Sequence, residues 1–586
     1  YSDSAEATSG AYDFIQQTLA DLKISAEATL AAMSVSNETT ADEVLKVIAD
    51  RITNKQIHAA WSDGESGFKL TPASDGADSG TNGHITGTIL LTLEGTEESE
   101  TITVNLTIQP KFAVTFASGN TSAAGTAPTQ ETVTAGTEIT LPANPYTYYG
   151  MNFTGWSDGT HTYQASSFYT MPAHNVTFTA QWTNDVWDGE AKSNSLKGSG
   201  TAEDPYIIAS GADLNYLSNW NGRYCDRYYK LMADIDMGGH EMLPIYRLTG
   251  TFDGNGHKIT NLKIESSDVY YGLFKDAGNN GTAAVIKNLT LENAAINDTK
   301  STESGKLGLL VSRAGDYLTI EDCYVTGSIT TTSKPYMDVG GLVGQEAKDA
   351  NVTISRCYAG VIFKGGHDNS FFGGLVGSCE GGIIENCYAI PDMTGVTAGS
   401  RGGITSSTGG TIQNCYAAGA AFSGAGIAGN AANISGSVSI FPEMRGSARI
   451  FSSSSSTGSK NYGFEGTIQR DSNGIVTPPA AQFAADKAQG ADATATQLKS
   501  FSFYKDTLGW SEDIWEIRSG YDFPVLKDQK AVPTLALNLT PSVVSVTLDK
   551  NSATLPCVST LQLTATVDVK NGGSQTVQWH SSDPRM

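Results

Sequence analysis

One short motif returns along the middle of this chain about every thirty residues, and it restricts the possible folds more than any other feature. Each copy joins an isoleucine, a polar residue and a cysteine or leucine, and four copies add a tyrosine. Cys323, Cys357, Cys387 and Cys415 are 34, 30 and 28 residues apart, and Leu289 holds the same position 34 residues earlier. Repeats of this length stack, so that each unit buries its apolar face only against its neighbours.

Glycine-rich apolar clusters alternate with this motif. Each unit therefore offers a Gly-Leu-Val strand, an Ile-x-Asn-Cys-Tyr strand and a shorter third strand such as residues 360–365. Three strands a turn without a helix between them predict a parallel β-solenoid over residues 199–528. The clusters occupy residues 271–274, 307–311, 340–344, 373–377, 402–405 and 425–429.

A polar residue precedes the cysteine position in every unit. Asn288, Asp322, Asn386 and Asn414 belong to types that tolerate left-handed backbone and suit a corner between two sheets. Arg356 occupies the position in the remaining unit, so the corner there is expected to differ. Whether the cysteine or the tyrosine faces the interior depends on this corner, and the sequence leaves both arrangements open.

The repeat resembles the GLUG motif of bacterial surface proteins and of immunoglobulin A protease relatives. Residues 198–220, 228–239 and 250–264 resemble the segment that begins such solenoids, and residues 508–527 resemble the segment that ends them. The implication of this resemblance is architectural, because GLUG regions accompany several activities.

Residues 1–110 have the pattern of a small α+β module. Tyr12, Ile15 and Leu19 open a first helical period. Thr40 and Glu43 form a capping box before a second helix. Alternating apolar residues beyond position 84 then predict paired strands.

Residues 111–183 have an all-β pattern, and the stretches 149–159 and 169–182 resemble the Listeria–Bacteroides repeat, or internalin B-repeat. That resemblance implies a β-grasp-like spacer without catalysis. Phe153, Trp156 and Trp182 are expected to share a small core. The alternative is an exposed sugar-binding platform formed by tyrosines. Its candidates are Tyr146, Tyr148 and Tyr149.

Two further segments complete a mainly β, multidomain fold class. Residues 184–198 have the composition of a linker. Residues 531–586 resemble the first half of a bacterial Ig-like group 2 domain, whose strands after Trp579 would be missing or lie beyond this chain. The absence of a signal-peptide pattern at Tyr1 and the strand-like pattern at the other end favour a fragment of a longer protein.

Composition excludes several partners. Thirty-seven Lys and Arg against 61 Asp and Glu give a net charge of −24, which repels nucleic acid and anionic lipid. No apolar run approaches the ~18 residues of a spanning helix, so no membrane insertion is expected. Seven cysteines are an odd number. We expect the four repeat cysteines to be buried free thiols, because parallel stacking aligns side chains that a disulfide would have to turn toward one another. We also expect a monomer.

No motif in the sequence has both the residue types and the spacing of a catalytic or ligand-binding site. The string His240-Glu241 lacks the second histidine of a zinc protease, and it lies in no helical pattern. Asp234, Asp236 and Asp253 are the candidate acids of a catalytic β-solenoid, but their neighbours favour turn or cap chemistry over a metal or catalytic pair. We therefore assign no catalytic, cofactor-binding or metal-binding residue, and we expect no cofactor.

The sequence thus favours an extracellular bacterial surface protein. The first hypothesis is a non-catalytic adhesin or stalk region that binds or displays a host glycan or glycoprotein. The alternative is an accessory, substrate-binding region of a larger secreted protease or glycan-active enzyme whose catalytic domain lies outside this chain. A catalytic β-solenoid is a third hypothesis, and it requires several acidic side chains within reach of each other in one groove.

Overall fold

The chain folds into two compact units, and the boundary between them in the sequence falls after Asn184. The second module was expected to end at residue 183. The fold is mainly β with long parallel sheets, which confirms the predicted fold class. Among the described residues, no helix is both long and apolar enough to cross a membrane. The computed structural model describes residues 19–74, 80–129, 131–190, 195–219, 226–264, 269–278, 281–298, 304–332, 336–348, 350–430, 433–446, 448–530, 532, 535, 537–555, 559–571 and 573–581.

The first unit begins with helices packed on an antiparallel sheet. One helix covers residues 19–31, and the second covers Ala41–Ala49. The second helix begins with the predicted capping box: the Thr40 side chain accepts from the Glu43 N–H, and the Glu43 carboxylate accepts from the Thr40 N–H. Tyr12 and Ile15 of the first predicted helix lie outside the described residues. The sheet contains Ile57–Trp61, Lys69–Thr71, Gly83–Leu93 and Ser99–Ile108, with Gly83–Leu93 bonded to the other three.

The rest of the first unit is all β, as the sequence predicts. Its core contains Trp156, which is fully buried and lies 5.2 Å from Phe153 between ring centroids. Phe153 also contacts Trp182 at 5.8 Å, so the three predicted core aromatics do pack together. One sheet has the order Glu131–Thr134, Lys111–Ala117, Val176–Asn184, Met151–Ser157 and Thr162–Tyr163, and a second pairs Glu138–Thr140 with Phe168–Thr170.

The second unit contains the predicted parallel β-solenoid, built from four ladders of parallel strands that we call sheets I to IV. Sheet I contains Tyr206–Ile208, Tyr228–Leu231, Thr251–Asp253, Ala284–Lys287, Leu318–Glu321, Val352–Ser355, Ile383–Glu385, Thr411–Gln413, Asn433–Ser435 and Thr457–Ser459. Sheet II contains Ile235–Asp236, Glu241–Met242, Lys258–Thr260, Lys263–Ile264, Thr290–Asp298, Tyr324–Thr331, Tyr358–Gly365, Tyr388–Ala389, Asp392–Val396, Tyr416–Ala418, Val438–Ile440, Tyr462–Phe464 and Ala491–Ala493. Sheet III contains Tyr270–Tyr271, Lys306–Gly308, Asp338–Gly340, Phe371–Gly373 and Ser400–Gly402. Sheet IV contains Ile245–Leu248, Phe274–Ala277, Val311–Ala314, Val343–Glu346, Val376–Cys379 and Thr405–Thr408.

A full turn passes through sheets I, II, III and IV, which corrects the expected three strands. The Ile-x-Asn-Cys-Tyr motif spans a corner and is not a single strand: Ile354 belongs to Val352–Ser355, and Tyr358 begins Tyr358–Gly365. The GGLVG motif is likewise divided, because Asp338–Gly340 lies in sheet III and Val343–Glu346 lies in sheet IV.

All five corner residues adopt left-handed backbone, with φ of 52° or 53° at Asn288, Asp322, Arg356, Asn386 and Asn414. The expectation of a different corner at Arg356 is therefore wrong. Its guanidinium donates two hydrogen bonds of 2.7 Å to Asp322, the corner residue of the preceding turn. This charged pair across two turns accompanies an arginine backbone conformation that L-residues seldom adopt.

The paired glycines of GGLVG are required by close backbone approach. A Cβ on Gly373 would lie 1.8 Å from the carbonyl oxygen of Val376, and one on Gly374 would lie 2.0 Å from that of Gly403 in the next turn. Val343 and Val376, which follow the glycines, are fully buried in the solenoid interior.

After the last strand of sheet II the chain turns back along the outer side of that sheet. We call residues 494–530 the C-terminal strap. It contains Ala495–Leu498, the π-helix Phe503–Leu508 and a small hairpin of Trp515–Glu516 with Val525–Leu526. The sequence predicted that this segment would end the solenoid; it also covers the solenoid's side.

Four strands near the end of the solenoid form a separate sheet outside sheets I to IV. Ala421–Ser423, Glu443–Arg445 and Ile468–Asp471 form a short parallel ladder, to which Gly474–Val476 adds an antiparallel edge. A helix, Gly211–Asn219, precedes the first complete turn.

The remaining segments have less independent structure than the sequence suggested. In the predicted linker, Trp187 is buried in the solenoid core, so the packed unit begins before residue 199. In residues 531–586, the described strands are Ser542–Leu548 and Ala565–Lys570, which form one antiparallel pair. Leu537 and Leu539 belong to the same hydrophobic cluster as the buried residues of the strap.

Candidate functional site

The acidic residues that the sequence singled out lie at strand ends: Asp236 and Asp253 are the last residues of strands, and Asp234 directly precedes one. Asp236 Oδ1 accepts hydrogen bonds from the Gly238 N–H and from Asn261 Nδ2, each at 2.9 Å. Asp234 Oδ1 lies 3.0 Å from His257 Nδ1. Both carboxylates therefore hold one turn of the solenoid to the next.

Asp253 has the same role one turn later. Its Oδ1 accepts from the Asn255 N–H at 2.7 Å and from Nδ2 of the corner residue Asn288 at 3.0 Å. Within the part of the chain that the structure describes, no three His, Cys, Asp or Glu side chains converge as a metal site would require.

The His240-Glu241 string is extended rather than helical. Glu241 begins a strand and forms an ion pair with Lys263 of the neighbouring strand. The His240 ring packs edge-on against Trp187, with 5.9 Å between ring centroids. These two side chains are engaged in packing between strands.

Two of the three tyrosines proposed as a sugar platform contact the aromatic core of the first unit. Tyr146 is 8% exposed, and its hydroxyl donates to the Phe116 carbonyl at 3.4 Å. The Tyr148 ring lies 5.6 Å from Trp182. The core alternative therefore describes Tyr146 and Tyr148.

The repeat cysteines face the solenoid interior, where all four are free and fully buried. Burial raises the pKa of the Cys323, Cys357 and Cys387 thiols. Thiols in such surroundings are poor nucleophiles, since the thiolate is the reactive form. Cys379 is also free and buried, whereas Cys225 and Cys557 lie outside the described residues.

The repeat tyrosines point the opposite way, which answers the question that the sequence left open. Tyr358, Tyr388 and Tyr416 stack on the outer side of sheet II, with ring centroids 4.4 and 4.8 Å apart along the series. Tyr324 belongs to the same cluster. We call these four residues the tyrosine ladder.

The strap covers the tyrosine ladder and accepts hydrogen bonds from two of its four hydroxyls. Tyr388 donates to Gln529 Oε1 at 2.6 Å, and Tyr416 donates to the Pro524 carbonyl at 2.8 Å. Trp515 packs against both rings, at 6.1 Å from each. The ladder is therefore a second core and not a ligand-binding surface.

A buried carboxyl in sheet IV was not found from the sequence. Glu346 is fully buried, and Cys379 donates to its Oε2 from Sγ at 2.9 Å. Burial raises the pKa of Glu346 to about 7, against the opposing hydrogen bonds from Cys379 and the backbone of Gly382.

The strongest candidate for a functional surface lies on sheets III and IV near the start of the solenoid. We call it the cationic–aromatic face, defined by Tyr246, Arg247, Tyr270, Lys275 and Arg313. Lys275 Nζ lies 5.0 Å from the centre of the Tyr246 ring and 5.2 Å from that of Tyr270. The Arg313 guanidinium lies 5.4 Å from the Tyr270 ring.

One buried carboxylate organises the two arginines of this face. Asp276, 5% exposed, accepts from Arg313 Nε at 2.7 Å and lies 3.6 Å from Arg247 Nη2. The Arg313 side chain remains 41% exposed and Tyr246 37% exposed. The two arginines therefore share one buried carboxylate, Asp276.

Comparison with protein-family models identifies one module. Residues 112–186 match the divergent InlB B-repeat domain. The match covers most of the second half of the first unit, where the sequence resemblance placed an internalin B-type repeat.

Two curated proteins share part of the sequence. Halomucin of Haloquadratum walsbyi is 33% identical over 193 residues, which is 31% of this chain and 2% of that protein. A protein named as a Gly-rich membrane protein in Evansella cellulosilytica is 30% identical over 163 residues, 26% of this chain and 16% of that protein. The chain therefore spans only a small part of the length of either relative.

A solved structure from Bacteroides ovatus, described as an immunoglobulin A1 protease, covers 57% of this chain and 95% of its own. The sequence identity is 20% and the TM-score is 0.37. A likeness at this level supports no argument about activity.

Proposed function

We propose that this chain is an extracellular region of a bacterial surface protein, and that its solenoid binds glycans through the cationic–aromatic face. The observation that carries the proposal is the pair of tyrosines, Tyr246 and Tyr270, held around Lys275 on the side of a stacked parallel sheet. Aromatic rings beside hydrogen-bond donors are suited to sugars, which present apolar C–H faces and polar edges.

The surroundings of the solenoid support a surface location. The B-repeat match lies directly before it in the sequence, and the two relatives are named halomucin and a Gly-rich membrane protein. In this proposal the repeat belongs to the GLUG type, and residues 531–586 begin an Ig-like stalk. The chain acts as a monomeric adhesin or stalk region and performs no catalysis.

The proposal is tested by applying the full chain to a glycan array that contains neutral and charged glycans. We expect the wild type to bind a subset of glycans and Tyr246→Ala with Tyr270→Ala to weaken that binding at least about tenfold, as loss of aromatic anchors commonly does. Tyr228→Ala is the matched control, because Tyr228 is 44% exposed but lies on sheet I. Binding of no glycan, or equal loss in the control, would contradict the proposal.

A further inference from the structure

A cavity of about 710 Å³ lies near the C-terminal end of the solenoid, between the separate sheet of four strands and the loop 477–490 that follows it. The sheet contributes Arg445 and Gln469 to its lining, and the loop contributes Pro479 and Gln489. Pockets that hold small ligands commonly measure roughly 300–1,000 Å³, so this one is of ligand-binding size. We call it the end cavity.

Two buried amides line the end cavity, and a backbone donor fixes their orientation. Gln469 and Gln489 are 4% and 2% exposed. The Arg449 N–H, which can only donate, bonds to Gln489 Oε1 at 3.2 Å. The same oxygen accepts from Gln469 Nε2 at 2.5 Å, so the other polar atom of the Gln469 amide is its acceptor oxygen. Within the described chain this Oε1 receives no hydrogen bond, and the cavity therefore contains a buried acceptor that lacks a donor.

An exposed arginine lines the same cavity. The Arg445 side chain is 73% exposed and forms an ion pair with Glu443 at 4.0 Å. Glu443 also lies 3.6 Å from Arg470, whose guanidinium donates to Asp568 at 3.2 Å. The Arg445 guanidinium donates no hydrogen bond to another described residue, so its donors can form a paired contact with one carboxylate of a ligand.

The remaining lining narrows the chemical class of the ligand. Val476, Pro478 and Pro479 form an apolar wall. None of the described residues that line the cavity is aromatic, so it offers no ring that could stack on a sugar. Asp471, the acidic residue of the lining, accepts from the Asn473 N–H at 2.7 Å within its own turn. A ligand with one carboxylate, a nearby N–H donor and an aliphatic group matches these features.

The last residue of a peptide carries all three groups. We propose that the end cavity binds the C-terminal end of an extended peptide: Arg445 contacts the terminal carboxylate, Gln469 Oε1 accepts from a backbone N–H, and the apolar wall contacts the last side chain. The strand Gly474–Val476 borders the cavity and is the outer strand of its sheet, with all three residues exposed, so it can pair with an extended chain. This inference is independent of the glycan binding proposed for the cationic–aromatic face.

Fluorescence polarisation with hexapeptides labelled at the N-terminus tests the inference on the full chain. The panel varies the last residue, and each peptide is made with a C-terminal carboxylate and as the C-terminal amide. We expect peptides that end in an aliphatic residue to bind, and amidation to weaken their binding at least about tenfold, because it removes the charge that pairs with Arg445. Leucine alone, added as a competitor, should displace them only weakly, because it lacks the peptide N–H and the extended chain.

Two variants test the named contacts, each with a matched control. Arg445→Gln should reduce the affinity for the carboxylate form to that for the amide, a pattern that lost folding would not produce. Gln469→Met should weaken both forms, because each presents a backbone N–H to the missing acceptor. Arg227→Gln, at another exposed arginine in an ion pair, and Gln413→Met, on sheet I, should bind as the wild type does.

Three results would overturn the inference. Equal binding of the carboxylate and amide forms by the wild type would refute the contact with a terminal carboxylate. Displacement by leucine as effective as that by an unlabelled hexapeptide would assign the cavity to a single amino acid. Binding of no peptide would mean that the cavity holds only solvent. None of these results bears on glycan binding at Tyr246 and Tyr270, which the glycan array tests separately.

Discussion

Ionisation of Glu346 should weaken the middle of the solenoid as pH rises. Its folded-state pKa of about 7 lies above the ordinary value of 4.5, so the folded protein holds a proton that the unfolded chain releases. The carboxyl therefore favours folding below pH 4.5, and this contribution is lost as pH increases through 7. A shift of 2.5 pH units at 1.36 kcal/mol each corresponds to about 3 kcal/mol, of which roughly 2.5 kcal/mol is lost between pH 5 and pH 8.

Glu346→Gln removes the titration while keeping nearly the same shape. Because a chain of several units does not unfold in two states, the measurement should be local: hydrogen exchange of peptides covering residues 340–384, at pH 5 and pH 8. We expect the opening free energy of these peptides to fall by roughly 2.5 kcal/mol more in the wild type than in the variant.

Peptides from residues 41–108 of the first unit provide an internal control, since their pH dependence should be identical in both proteins. If the peptides around Glu346 in the wild type and the variant show the same difference between the two pH values, the carboxyl does not titrate in the buried site. The reasoning from burial would then be wrong.

Three other perturbations test the core. Val376→Asp places an unpaired charge in the fully buried interior, and local hydrogen exchange should show a loss of about 3–5 kcal/mol, whereas unchanged exchange would mean that the strand does not face a core. Arg449→Met leaves the Phe464 and Gln489 carbonyls, which accept from its guanidinium at 2.8 Å each, without their donor. The C-terminal end of the solenoid should therefore unfold at a lower temperature in the variant than in the wild type, and an unaltered melting curve would contradict this. A thiol reagent should modify few cysteines in the native protein and close to seven after denaturation without reductant, and a peptide map that joins Cys323 to Cys357 would refute the free-thiol arrangement.

The solenoid could be predicted from the sequence because its motif recurs at nearly regular intervals along the chain. The cysteine positions recur in register, and the glycines recur where backbones of adjacent turns meet. The number of strands in each turn could not be predicted, because the motif from Ile354 to Tyr358 contains no glycine or proline to mark a break between two strands. The backbone shows that Arg356 turns the chain within this motif.

The cationic–aromatic face could not be predicted from the spacing of motifs along the sequence. Tyr246, Lys275 and Arg313 come from three different turns, and each follows or precedes apolar residues that dominate the local pattern. The register of the strands in successive turns brings these side chains together. The packing of the solenoid interior sets that register. The burial of Glu346 escaped prediction for the same reason, because a glutamate at a strand end ordinarily faces water.

The strap gives this solenoid a mechanical property that a simple stack of turns lacks. Along the main sheets, each turn bonds only to its neighbours, so a force that pulls on one end could peel turns away one after another. The strap instead leaves the last strand at Ala493 and reaches back to Gly256, whose carbonyl accepts from Lys530 Nζ at 2.6 Å. Tension applied beyond residue 530 therefore reaches the strap and the tyrosine rings that it covers before it reaches the final turn. The turns that carry these rings then share the load.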